Sequence, residues 1–491
     1  MTAPPVGLYS VKKTNFIDID PSKPFAWADF LSVVRAGTAA RASVSAKRRI
    51  DAGHRTLLKL LDDPAVKIYG IHTGFGGLQG EAIADNDLER HQRDLVASHA
   101  CGVGPEMDKF EVRAMMYLRA RQLARGHSGI SRRAFNAYLE TLNARRPPAV
   151  PIQGSVGACG DLIPLAHAGL HVLERIPAGS LGPRDGLALI NGTEASLALA
   201  LLGLEESRHL WRAALQAAAM GLFAVSGKTE SWSPEFIRLK KHREMEVAAE
   251  DLLHCLGSYR KNGLPQDPYS LRAAVHLLGA SLKLLNTAEE MLTAEADSVT
   301  DNPVILPRGP SVFHGAHFHG IQVSLAADLS AWAVHLLGLT SERRTDFLLS
   351  GRRQLPSMLA ARTKSSGLMM LQTVQGALVA ENRILAHPAS SDSIPLSANQ
   401  EDVVPMAMGA ALKLKNVVAN ASRVIAVEAL AAGRAVVLSG RAKELAAKTN
   451  LAPFMERLRR AAGVVLEGED RGFSMAIEML ALALRRPENI K

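Results

Sequence analysis

Prolines mark where helices must stop, and this chain omits them from two long stretches. None lies between Pro183 and Pro234, nor between Pro405 and Pro453. A proline inside a helix removes a hydrogen bond and clashes with the preceding turn, so both stretches are free to run as uninterrupted helices. Apolar residues recur in them at spacings of three and four, as in Leu412, Val417, Val418, Ala421, Val424, Ile425 and Leu430, the period of a helical face. Hydrophobicity nearly all round such helices predicts a place inside a bundle or at a subunit interface. Aromatics are only 5% of the 491 residues, while Ala and Leu, which lose little rotamer freedom in a helix, are plentiful. The expected fold is mainly α, with a mixed N-terminal domain over residues 1–205 and a long-helix bundle domain over residues 206–491.

The formal charge of +9 could suit nucleic acid, a membrane surface or an anionic substrate. The basic runs Lys47-Arg48-Arg49 and Lys240-Lys241-His242-Arg243 are short and lack interleaved aromatics, so they read as solvated faces and not as a nucleic-acid interface. Uncharged stretches such as 365–380 and 213–227 contain Gln, Ser or Gly and fall short of the ~20 apolar residues of a membrane span. Three widely separated cysteines, Cys101, Cys159 and Cys255, do not form a disulfide framework. The N-terminal residues lack a secretory signal pattern. A cytoplasmic protein is expected.

Five glycines between Gly70 and Gly80 (Gly70, Gly74, Gly76, Gly77 and Gly80) read as a mobile loop. Gly74-Phe75-Gly76-Gly77 is not a dinucleotide fingerprint, because Gln79 holds the third glycine's place. Pro147-Pro148-Ala149-Val150-Pro151 forces an extended approach to the segment that carries most of the chemistry. That segment, Gly154-Ser155-Val156-Gly157-Ala158-Cys159-Gly160-Asp161-Leu162-Ile163-Pro164-Leu165-Ala166-His167, resembles the signature of the histidine/phenylalanine ammonia-lyase family. The resemblance continues in family order through Tyr69-Gly70-Ile71-His72-Thr73-Gly74-Phe75-Gly76, Ser98-His99-Ala100, Leu189-Ile190-Asn191-Gly192-Thr193, Gln266-Asp267-Pro268-Tyr269-Ser270-Leu271-Arg272, Phe318-His319-Gly320 and Ser397-Ala398-Asn399-Gln400-Glu401-Asp402. The last of these, with its Gln-Glu pair, is the histidine-lyase form. The resemblance implies an α-helical fold, a homotetramer whose sites combine residues from several subunits, and elimination of an amine from a small amino acid.

In that family an Ala-Ser-Gly tripeptide condenses into a methylidene-imidazolone electrophile, and here Ala158-Cys159-Gly160 stands in its place. Gly160 has no Cβ to obstruct ring closure. Cys159 replaces Ser: its sulfur could leave as hydrogen sulphide and give the same cofactor, or the thiol could stay. The resemblance further assigns proton removal to Tyr69, a carboxylate clamp to Arg272, and hydrogen bonding near the electrophile or amine to Tyr269 and Asn191. Phe318 would pack on substrate or cofactor, and Gln400 accompanies Glu401. An imidazole has one donor and one acceptor, so His99 and Glu401 suit an imidazole-bearing substrate.

Departures from the family pattern are His72, His317, Glu194 and Lys364; the last two read as surface charges when taken singly. Together with Cys159 they suggest a substrate that differs from plain histidine. The sister activity on the same scaffold is an ergothionase-like lyase, which expels trimethylamine and needs no cofactor, because a quaternary nitrogen already leaves as a neutral amine. Tyr69 would again be the base, with Lys364 or Glu401 polarising the ring. An aminomutase is a further variant. A metal enzyme built on His314, His317 and His319 belongs to another class, since imidazoles are common metal ligands; no metal is expected.

Overall fold

The computed structural model describes residues 14–63, 65–74, 83, 87–309 and 311–486. Gly76, Gly77 and Gly80 of the glycine-rich segment lie outside them, as does Phe75. Helix dominates, and the long helices are Glu194–Ala224, Ala274–Ala296, Ile321–Leu349 and Ala407–Leu438. Each proline-free stretch holds one long helix, Glu194–Ala224 and Ala407–Leu438, but neither stretch is uninterrupted, since Asp185–Ile190 and Ala442–Lys448 are separate helices. Val424 to Val436 is buried on every side, with Glu428 and Arg434 the charged residues among its otherwise apolar and small ones.

The chain divides into two compact units, and neither is a single continuous segment. The first takes residues 1–202 together with 289–327 and 388–412; the second takes 203–288, 328–387 and 413–491. The first break thus falls close to residue 205. Two later segments nevertheless belong with the N-terminal part, because Cα packing joins them to it.

The first unit holds every strand among the described residues. Phe16–Ile19 pairs parallel with Ala39–Ala42, Val103–Glu106 antiparallel with Pro151–Gln153, and Val304–Leu306 antiparallel with Ser311–Phe313. Its helices start where the sequence supplies caps. Ser43 accepts from the Ala46 amide to begin Val44–Leu61, Ser131 does the same through Ala134 for Arg132–Leu142, and Asp108 with Glu111 closes a full capping box on Lys109–Leu123. Each cap satisfies amides that the first turn leaves unpaired. The Pro151–Gln153 strand leads through the tripeptide loop into the helix Leu162–Leu173, so the loop is held between two regular elements.

In the second unit buried polar side chains cross-link apolar helices. Arg344 and Glu428, both at most 1% exposed, form a bidentate pair with Nη2–Oε2 at 2.8 Å. Gln375 Nε2 donates to the Val424 carbonyl at 2.7 Å, and Asn382 Nδ2 to that of Val417 at 3.2 Å. Arg434, wholly buried, donates to the Leu359, Val465, Gly468 and Glu469 carbonyls and to Asp470.

Candidate active site

The tripeptide loop is folded tightly back on itself. Isolated bridges join Gly157 to Gly160 and Ala158 to Gly160, and Gly160 sits at φ +73°. A Cβ at Gly160 would lie 2.4 Å from the Gly192 carbonyl oxygen, so both the backbone angle and the space require glycine. Partners fix the loop from several directions. The Asp161 amide donates to Gly192 O at 2.6 Å, the Gly320 amide to Gly157 O at 3.1 Å and the Ala407 amide to Val156 O at 3.2 Å. Fully buried Asp161 accepts from the Ser155 hydroxyl and from both the amide and hydroxyl of Ser196, each at 2.7 Å. Burial pushes its carboxyl above the usual range, and these donors oppose the shift.

Cys159 donates its S–H to Glu401 Oε1 at 3.0 Å. Burial, then the hydrogen bond to Glu401 and its negative charge, push the thiol up to about 12, so it is protonated at neutral pH. Glu401 is presented by a tight loop in which Leu396 and Glu401 exchange backbone hydrogen bonds of 2.9 and 3.2 Å. Ser397, Ala398 and Asn399 between them all have positive φ, a cost that non-glycine residues bear only where the surroundings enforce it. Exposed Gln400 follows in the same loop.

Hydrogen bonds, linked through Asn302 and the His314–Gly315 backbone, join this centre to Tyr69. Asn191, 4% exposed, donates to the Cys159 carbonyl at 3.0 Å and accepts the Asn302 amide at 2.7 Å. Asn302 Oδ1 accepts the Gly315 amide at 2.9 Å, and the neighbouring His314 accepts the Tyr69 amide through Nε2 at 3.2 Å. Tyr69, Cys159, Asn191 and Glu401 thus share one bonded framework within the first unit.

His99 belongs to the same unit, at the end of the helix Leu88–His99, with Nδ1 2.8 Å from the Leu95 carbonyl. That bond places the ring proton on Nδ1 and leaves Nε2 as an acceptor. Phe318 is half-buried in the segment before Gly320. Tyr269, Arg272 and Lys364 belong to the second unit. Tyr269 is 74% exposed. Its ring lies 4.8 Å from the Arg272 guanidinium, which also donates to Gln266. Both residues line a cavity of about 900 Å³ with Lys228, Glu230, Phe236 and His276. Lys364 lies apart from that cavity, exposed, with φ +65°.

One expectation needs correction. Glu194 is no surface charge: it is 2% exposed, 3.2 Å from the fully buried Arg119 and bonded to the Thr300 hydroxyl at 3.0 Å. The three histidines do not gather as metal ligands. His314 is occupied by Tyr69, His319 faces the Val403 carbonyl at 3.2 Å, and among the described residues no group of three or more His, Cys, Asp or Glu could hold a metal. Sequence reasoning passed over Asn302, which ties Asn191 to the His314 segment, and gave Asp161 no role, although Asp161 adjoins the tripeptide.

A helical scaffold carrying this folded-back tripeptide is that of a carbon–nitrogen lyase. The family model for aromatic amino acid lyase matches residues 25–460. The chain belongs to the aromatic amino acid lyase family. It is 40% identical over 396 residues to the histidine ammonia-lyase of Aliivibrio fischeri (strain MJ11), spanning 75% of this chain and 78% of that protein. The histidine ammonia-lyase structure from Trypanosoma cruzi superposes with a TM-score of 0.84 at 31% identity, covering 96% of this chain and 93% of that one. Ergothionase from Treponema denticola has the same fold, with a TM-score of 0.88 at 24% identity over 97% of this chain and 100% of that one.

Proposed function

We propose that this chain eliminates ammonia from an imidazole-bearing amino acid, with histidine as reference substrate and a urocanate-type product. The carrying observation is the 3.0 Å contact between Cys159 and Glu401, which sets a carboxylate suited to an imidazole N–H against the tripeptide loop. His99, with Nε2 left as acceptor, supplies the complementary partner. A phenyl side chain would offer neither the N–H that Glu401 can accept nor a donor for His99 Nε2, so it would gain nothing from the two half-buried groups. Relatives named histidine ammonia-lyase support the same substrate.

In this reading Tyr69 takes the β-proton, the Cα–N bond breaks with its electron pair going to nitrogen, and the Cα–Cβ double bond forms. Arg272 clamps the substrate carboxylate through its planar fork, Tyr269 and Asn191 bond near the amine, Phe318 packs on the substrate and Gln400 supports Glu401. Ala158-Cys159-Gly160 fits a methylidene-imidazolone: Gly160 has the turn and the missing Cβ that closure needs, and Asn191 holds the intervening carbonyl. When formed, that group supplies the electrophile that makes an amine a competent leaving group. The working form is a cytoplasmic homotetramer in which Tyr269 and Arg272 are supplied to the tripeptide loop by another copy. Their exposure in a cavity of the second unit supports this.

One observation favours a second reading. The Cys159 thiol is protonated and hydrogen-bonded, which suits a sulfur that stays. An ergothionase-like lyase would then release trimethylamine from ergothioneine without cofactor, with Tyr69 as base and Lys364 or Glu401 polarising the ring. Intact mass and product analysis on histidine and ergothioneine separate the two. A deficit of one water and one hydrogen sulphide with ammonia released from histidine supports the first reading. An unaltered mass with trimethylamine released from ergothioneine supports the second, and inertness toward both substrates rejects both.

A further inference from the structure

The five amides from Ile68 to His72 are all engaged. Ile71 and His72 donate to the Ile68 carbonyl at 3.2 and 3.0 Å. The Gly70 amide donates to Thr73 Oγ1 at 3.1 Å, and the Gly70 carbonyl accepts from buried Gln92 at 2.8 Å. The remaining two amides, those of Ile68 and of Tyr69 itself, both end on imidazole nitrogens. Ile68 donates to His72 Nδ1 at 3.1 Å and Tyr69 to His314 Nε2 at 3.2 Å. Ile68 is anchored besides in an apolar cluster with Leu57, Ile71 and Ile305.

We propose that His72 and His314 are positioning residues that fix the backbone from which Tyr69 projects. The inference rests on Tyr69 acting as the base. A ring nitrogen accepts a hydrogen bond only when it carries no proton, so both imidazoles must serve in the neutral form. Although the residue is exposed, partial desolvation of its ring and then the Arg184 guanidinium hold His314 below the ordinary imidazole range, in keeping with that role. His314 has the longer reach of the two. Its neighbour Gly315 is tied to Asn302, Asn302 to Asn191, and Asn191 to the Cys159 carbonyl. One imidazole therefore sets Tyr69 in register with the tripeptide loop, and general-base geometry is intolerant of error: a misplacement of about 1 Å costs on the order of 100-fold in rate.

The test pairs an acceptor-less variant with one that restores the acceptor. His314→Leu and His72→Leu remove the acceptor; His314→Gln and His72→Asn place an amide oxygen near the lost nitrogen. Steady-state kinetics on histidine and amide hydrogen exchange at Ile68 and Tyr69 are measured on the full-length assembled enzyme. The expected result is a fall in kcat of about 10- to 100-fold in the Leu variants with KM changed less than about 3-fold. Exchange should be at least about 10-fold faster at Tyr69 in His314→Leu and at Ile68 in His72→Leu, and the Gln and Asn variants should recover both properties to within about 3-fold. Faster exchange with unchanged kcat would overturn the positioning role. Unprotected Ile68 and Tyr69 amides in the wild type would overturn the anchoring itself, even if a Leu variant failed to fold. A wild type inert toward histidine counts against the proposed substrate alone, because the exchange pattern still decides whether the two imidazoles hold the segment.

Discussion

Glu295 accepts the Thr193 hydroxyl at 2.7 Å, just behind the residues that follow Asn191. Burial pushes its carboxyl up to about 7 from an ordinary 4.5, the Thr193 bond opposes this, and the charges of Glu194 and Asp161 add to it. The folded state therefore binds the proton more tightly than the unfolded chain. Stability from this group is fully present below about pH 4.5 and is lost as pH rises through about 7. Glu295 keeps some solvent contact, so the loss is at most about 3 kcal/mol. Thermal unfolding from pH 4.5 to 8 should show Glu295→Gln flattening this slope and raising Tm at pH 8; a parallel curve would refute the assignment. Arg272→Lys should raise KM for substrate about 10- to 100-fold, because a point charge cannot replace the planar fork; unchanged kinetics would count against the carboxylate clamp. Motif order singles out Tyr69, Cys159, Asn191 and Glu401 in the sequence, and all four fall in the first unit. The environment of Glu194 was not legible there. Its burial depends on Arg119, seventy-five positions away, and nothing in local pattern distinguishes a buried acid from a surface one.

At the scale of elements, what was readable is what local physics governs. Proline-free apolar periodicity marked Glu194–Ala224 and Ala407–Leu438, since helix formation uses contacts a few residues apart, but it was not read for Ala274–Ala296 or Ile321–Leu349. The short strands were not readable: with three or four residues each, Phe16–Ile19 and Val304–Leu306 are too brief to show an alternating pattern, and the first pairs with Ala39–Ala42 some twenty positions on. The division into units shares this limit, because it depends on segments such as 388–412 packing far from their sequence neighbours. The left-handed run at 397–399 was likewise not readable, since Ser and Ala carry no signal for it and a single Asn, though tolerant of positive φ, does not mark a run of three. One helix–helix link can be weighed directly. Glu428 and Arg344 are both buried, so Glu428→Ala leaves a guanidinium without its counter-charge and should cost about 3–5 kcal/mol. Chemical denaturation should register that loss. A cost below about 1 kcal/mol would mean that the pair contributes as little as a surface ion pair.

At the scale of the whole molecule, the proposed homotetramer makes a prediction about which copies contribute to one site. Tyr69, Cys159, Asn191 and Glu401 share the first unit, whereas Tyr269 and Arg272 belong to the second. If catalysis draws Tyr69 and Arg272 from different copies, each loss can be complemented in trans. Tyr69→Phe and Arg272→Ala should each be close to inactive as homogeneous assemblies. In mixed assemblies some sites receive an intact Tyr69 from one parent and an intact Arg272 from the other. With random mixing at equal amounts these are about a quarter of all sites, by the counting that a symmetric oligomer with shared sites imposes. Co-expression with two distinguishable tags, tandem purification and assay on histidine should therefore recover about a quarter of wild-type kcat per site. If both residues act from one chain, every site in the mixture lacks one of them and activity stays at the level of the parents. The doubly substituted chain mixed with wild type gives the control, since under either arrangement some sites then remain wholly wild type.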